Sequence, residues 1–300
     1  MKRITFCICI MVLVTGATMA CAADVNVVVS ILPQAYFVER IGGSRVDVDV
    51  LIQPGQSPHT YEPTPRQMAH LGSARVYFTT GLSFEKRFID KIAGIYPDLR
   101  IVDTREGVPL RYFGKREAAH EPHDAEESQA HEEEAAGAPD PHIWLDPALV
   151  KIQAATICRA LSKVSPANAV VFDANLRKFL GDLDAVDADI RTTLAPFKGA
   201  TVYVFHPAFG YFCDAYGLNQ VAVEIEGKEP TPRQLAALIT KAKKDDVKII
   251  FVQPQFSKKA AEAVATAIGG IVRPIDQLSR DYLNNLKNIA QAIKSALEKK

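Results

Sequence analysis

From residue 25 onward, runs with the two-residue period of strands alternate with runs at helical spacing. Val25 to Ser30 is a short β-branched run, and Pro33 to Ile41 reads as a helix stopped by Gly42 and Gly43. Val46 to Ile52 alternates valine with aspartate, the mark of a strand with one wet face. A stiff loop with prolines at 54, 58, 63 and 65 follows and holds His59. Thr64 and Pro65 then open a helix to Leu71, as a cap and a first-turn proline should. Arg75 to Thr79, Phe84 to Ala93 and Leu99 to Val102 complete a strand, helix, strand series, the grammar of a parallel α/β sheet.

The second half repeats it. Strands are predicted at Thr201 to Phe205, Val221 to Ile225, Val247 to Val252 and Ile271 to Pro274. Helices are predicted from Pro207, over Pro232 to Lys244, over Ser257 to Ile268 and over Asp281 to Glu298. One repeat is literal: Glu62-Pro-Thr-Pro-Arg-Gln-Met-Ala69 recurs 167 residues later as Glu229-Pro-Thr-Pro-Arg-Gln-Leu-Ala236, with seven of eight letters kept. Two similar lobes follow from it. Between them, Pro166 to Pro196 contains no internal proline and carries Val170, Val171, Leu176, Phe179, Leu180, Leu183, Val186 and Ile190 near helical spacing. As one helix it would be about 45 Å long, a strut with Gly181 as its weak point.

The chain begins with Lys2 and Arg3, an apolar run from Ile4 to Val14, and small residues up to Ala23, the make-up of a secretory signal. Cleavage is expected after Ala22. A lipoprotein anchor at Cys21 is the alternative, disfavoured because Thr18 stands where such signals usually carry leucine. The organisation is therefore a signal peptide over 1–22, an N-terminal α/β lobe over 23–165 with an acidic loop at 115–140, a linking helix over 166–196 and a C-terminal α/β lobe over 197–300. No later stretch reaches the ~20 apolar residues of a membrane span. With 35 basic and 35 acidic residues, and 33 against 35 beyond the signal, nothing points to nucleic acid. Beyond the signal only Cys158 and Cys213 remain, both in helical apolar patterns, and they read as two separate buried thiols.

The chemistry lies in the histidines. His59 follows the second strand of the first lobe, His142 follows the insert after its fourth strand, and His206 ends the first strand of the second lobe. Ligands of open parallel sheets sit outside the carboxyl ends of strands, and all three imidazoles lie there. Asp276, just past the last strand, is read as the only acid at an equivalent strand end in that region. Three imidazoles and one carboxylate, two ligands from each lobe, form a tetrahedral N/O set suited to Zn²⁺, whereas Mn²⁺ is better served by more carboxylates. The loop 115–140 adds nine acids, two bases and the histidines His120, His123 and His131, a solvated composition. His70 reads as structural.

Four stretches make a resemblance specific: residues 54–65, Asp140-Pro-His-Ile-Trp-Leu-Asp-Pro147, residues 206–217 from His206-Pro-Ala-Phe-Gly, and Ile275-Asp276. Over nearly the whole exported chain they resemble the periplasmic metal-binding subunits of bacterial zinc and manganese ABC importers. The resemblance implies two α/β lobes joined by one long helix, with His59, His142, His206 and Asp276 as metal ligands. Manganese members typically have Glu where this chain has His206, so the zinc type is implied, with Zn²⁺ bound as cargo. It also implies a non-enzymatic, monomeric protein that serves a permease and its ATPase in the inner membrane, with weak metal capture by the acidic loop. The rival readings are a manganese- or iron-specific member, an exported metal buffer or adhesin, and a zinc hydrolase using Glu62 or Glu226 as base, which Asp276 as a fourth ligand would disfavour.

Overall fold

The computed structural model describes residues 24–113, 137–224, 231–256 and 258–298. The signal segment, most of the acidic loop with His120, His123 and His131, and Glu226 lie outside them.

The first lobe contains β1 (Val25–Val29), α1 (Leu32–Gly42), β2 (Val46–Val50), α2 (Pro65–Ser73), β3 (Val76–Thr79), α3 (Ser83–Ala93) and β4 (Arg100–Asp103). Its parallel sheet has the order β2-β1-β3-β4. The chain then returns through α4 (Pro147–Val164) and α5 (Ala169–Leu194). The second lobe contains β5 (Thr201–Val204), α6 (Gly210–Tyr216), β6 (Asn219–Ala222), α7 (Pro232–Lys244), β7 (Ile249–Val252), α8 (Lys258–Ala267), β8 (Ile271–Pro274) and α9 (Tyr282–Leu297). Its sheet order, β6-β5-β7-β8, is the first lobe's order again.

Strand composition follows position in the sheet. Central β3 and β7 are buried at every residue, while edge strand β2 alternates half-buried valine with exposed aspartate. In β5 and β7 the two-residue period divides the second lobe's core. Val202, Val204, Ile249 and Phe251 join the large cluster that holds α5 and α9, whereas Tyr203, Phe205, Ile250 and Val252 pack with residues of α7 and α8.

The literal repeat folds twice into one device. Thr64 and Thr231 each accept the N–H of the glutamine three residues on, Gln67 and Gln234, which returns a bond to the cap residue's own N–H, with proline at the first helical position.

The linking segment is a 26-residue helix, α5, flanked by single 3-10 turns at Pro166–Asn168 and Ala195–Phe197. At 1.5 Å per residue it spans about 39 Å. Its buried stripe is Phe172, Phe179, Leu183, Val186, Ile190 and Leu194, and Val170 and Val171 are exposed instead. Asp182 pairs with Arg40 of α1, and Asp187 accepts the Tyr216 hydroxyl of α6 at 3.0 Å, so the strut is tied to both lobes.

Two boundaries differ from expectation. The helix predicted from Pro207 starts at Gly210 and ends at Tyr216, capped by Gly217, whose φ of +71° turns the chain directly into β6. That strand therefore runs Asn219–Ala222, ahead of the predicted Val221 to Ile225, because pairing with Thr201 sets its register. Cys158 and Cys213 are both buried and are not joined in a disulfide.

Candidate metal centre

His206 follows β5 and is held at its backbone by Gln253, which accepts its N–H at 3.2 Å and donates to its carbonyl at 2.7 Å. Its ring stacks on Phe256 with centroids 4.7 Å apart. His142 precedes a short 3-10 turn, Ile143–Leu145, and the Asp146 cap of α4, whose carboxylate accepts the Ala148 N–H at 2.8 Å. Trp144 locks that turn to the second lobe: its indole donates to the Gln277 carbonyl at 2.8 Å, and its own carbonyl accepts the Tyr282 hydroxyl at 2.6 Å. His59 stands in the proline-rich loop after β2.

These three imidazoles meet. His206 Nε2 lies 3.2 Å from His59 Nε2 and 3.3 Å from His142 Nε2. His142 and His206 are almost fully buried, and His59 keeps a face open to solvent. On their far sides two rings rest on carboxylates. His142 Nδ1–H donates to Asp140 at 2.7 Å, and His206 Nδ1–H donates to Glu224 at 3.2 Å. A carboxylate only accepts, so both rings carry a hydrogen on Nδ1, and Nε2 is the atom each turns toward the shared space.

Burial, then the neighbouring imidazoles, depress the pKa of His59, and burial above all depresses that of His206. The His59 and His206 rings are therefore biased to the neutral form at neutral pH.

Asp276 is not drawn onto the imidazoles. Its Oδ1 accepts the Leu278 N–H at 2.9 Å and the Gln255 amide at 3.4 Å, and no hydrogen bond joins it to a histidine among the described residues. Both imidazole contacts run through His206, and no group of three or more His, Cys, Asp or Glu among the described residues forms a finished cation cage. The arrangement is a triad centred on His206. His70 stands apart, paired with Asp49 at 3.1 Å.

Sequence reasoning missed the two carboxylates behind the rings. Asp140 lies two residues before His142, a spacing that signals a local Asp-to-ring bond. Glu224 falls inside the strand predicted at Val221 to Ile225, where it does not stand out as a strand-end acid. The expectation that Asp276 is the only acid at a strand end in the second lobe is thereby corrected, since β6 ends at Ala222 and delivers the buried Glu224 to the site.

The family described as "ZnuA: Zinc-uptake complex component A periplasmic" matches residues 27–296. The chain is 27% identical over 290 residues to the high-affinity zinc uptake system protein ZnuA of Bacillus subtilis strain 168, covering 91% of this chain and 87% of that protein. It is 27% identical over 293 residues to the ZnuA of Yersinia pestis, covering 92% of each. A crystal structure of a ZnuA matches with a TM-score of 0.82 and 38% identity over 91% of this chain and 99% of that one. With that match over nearly the whole described length, two parallel-sheet lobes and a triad of imidazoles drawn from both of them, the chain belongs to the ZnuA family of periplasmic zinc-uptake components, which are solute-binding proteins and not enzymes.

Proposed function

We propose that this protein captures one Zn²⁺ in the cleft through His59, His142 and His206, with Asp276 as the fourth ligand, and hands it to the permease of an ABC importer driven by its ATPase. The observation that carries the reading is the pair of Nε2 contacts at 3.2 and 3.3 Å. Zinc takes imidazole nitrogen at about 2.0–2.1 Å, so neighbouring corners of a tetrahedron lie about 3.3–3.4 Å apart. Two edges of such a tetrahedron stand at almost that length, and closing it requires His59 and His142 to converge and Asp276 to swing in.

The donor chemistry favours zinc over manganese. Asp140 and Glu224 spend their charge on the Nδ1 sides, so the cation side is rich in nitrogen, where a hard cation asks for oxygen. The protein acts as a monomer outside the inner membrane, exported by residues 1–22 and released after Ala22. The acidic loop adds weak, exchangeable capture through His120, His123 and His131.

Calorimetry with Zn²⁺ and Mn²⁺ tests this. One tight zinc site is expected, with any weaker zinc lost on deleting residues 117–138. Preference for Mn²⁺ under matched conditions would refute the zinc assignment.

A further inference from the structure

The segment that leads into the acidic loop carries Arg111, which touches both lobes. Its Nη1 donates to Asp140 Oδ2 at 3.1 Å, and its Nε donates to Asp214 Oδ2 of α6 at 3.1 Å. Its backbone N–H donates to the Tyr211 hydroxyl at 2.7 Å. Asp140 is the carboxylate that holds His142 Nδ1, on its other oxygen. A continuous chain of charged hydrogen bonds therefore runs from the His142 ring through Asp140 and Arg111 to the second lobe.

The surroundings are built around this guanidinium. Gly210, the first residue of α6, lies so close that a Cβ there would sit 2.5 Å from Arg111 Cζ. Beside it Val108, Ile143, Leu149 and Tyr211 form a separate apolar cluster drawn from both lobes, with Ile143 directly following His142. Asp140 is fully buried and Arg111 largely so, a setting in which charge-assisted bonds are strong and directional.

We propose that Arg111 is a positioning residue that couples occupancy of the His142 position to the seating of α6 against the first lobe. The inference rests on His142 being a zinc ligand. A cation on Nε2 makes the Nδ1–H a stronger donor and draws Asp140 toward the ring, and Arg111, gripping the other Asp140 oxygen, transmits that pull to Asp214. By linkage, a contact that is tighter with zinc bound must strengthen zinc binding in return.

Asp214 supplies the test, because it is an exposed carboxylate, 59% accessible, on the outer face of α6. If Arg111 acts as inferred, Asp214→Asn weakens zinc binding roughly 2- to 30-fold while leaving the thermal midpoint of the metal-free protein unchanged. Its effect vanishes in an Arg111→Gln background, since both substitutions cut one chain. Arg111→Lys keeps the charge without the planar fork, and Asp214→Asn has no effect on zinc there either. Wild-type zinc affinity in Asp214→Asn, or simple additivity with Arg111→Gln, overturns the proposal. His142→Ala separates the two readings. If it loses zinc while Asp214→Asn does not, only the Arg111 coupling falls; if it binds as wild type, the ligand assignment itself falls.

Discussion

Asp140 Oδ1 accepts the Nδ1–H of His142 at 2.7 Å, with both side chains buried, and the same oxygen accepts the His142 backbone N–H at 3.0 Å. One carboxylate oxygen thus sets the tautomer of the ring and the direction of its other nitrogen. Asp140→Ala should therefore weaken zinc binding about 10- to 100-fold, the usual loss when the partner behind a ligating histidine is removed. Calorimetric titration with Zn²⁺ measures it, and an unchanged affinity would mean that packing on Trp144 alone orients the ring.

His59→Ala, His142→Ala and His206→Ala should each cost about 3 kcal/mol of zinc binding, or 100-fold, taking roughly a quarter of the 10–16 kcal/mol typical of a four-ligand zinc site. Asp276→Ala should cost less, because its carboxylate is already engaged by Leu278 and Gln255 and water can take its corner. Competition against a chromogenic chelator ranks the four. An Asp276 loss equal to that of the histidines would place the carboxylate on the cation in full.

Glu85 makes the metal-free protein sensitive to pH. Burial pushes its carboxyl up to about 7, against the N–H groups of Thr80, Gly81 and Leu82 and the Ser30 hydroxyl, which favour the ionised form. The unfolded chain releases this proton near 4.5, so the folded state holds more protons between the two values and stability falls as pH rises through that window. The loss is absent below 4.5, complete above about 7, and on the order of 3 kcal/mol. Glu85→Gln keeps the shape and should remove most of this slope. Urea unfolding at pH 5 and pH 8 with chelator present measures it, and an equal slope in the variant would assign the effect elsewhere.

Gly181 is exposed midway along α5, and a Cβ there meets nothing within 4 Å. Gly181→Ala should raise stability by about 1 kcal/mol and leave zinc affinity unchanged. With Arg40 and Tyr216 anchoring the strut to both lobes, the radius of gyration should change little on zinc loading in either protein. Solution scattering decides: a large change on loading, abolished by Gly181→Ala, would make the strut a hinge.

The local sequence by itself determined the elements and their doubling. Seven of eight letters recur between residues 62–69 and 229–236, which announced two lobes before any contact was known, and both copies fold into the same capping box. Strand periodicity likewise placed His206 at the end of the fifth strand and His59 in the loop after the second, because side-chain direction and strand length are local properties. Only the tertiary structure decided what stands behind His206 and what ties Asp140 to the second lobe. Glu224 reaches His206 across 18 residues and Arg111 reaches Asp214 across 103, through the pairing of β5 with β6 and the packing of α6 against the first lobe. A hydrogen bond depends on angstrom-scale distance and on burial, and neither is set by neighbours along the chain. For the same reason the sequence offers Asp276 as a fourth ligand without showing what holds it, while the fold bonds its carboxylate to the Leu278 N–H and the Gln255 amide.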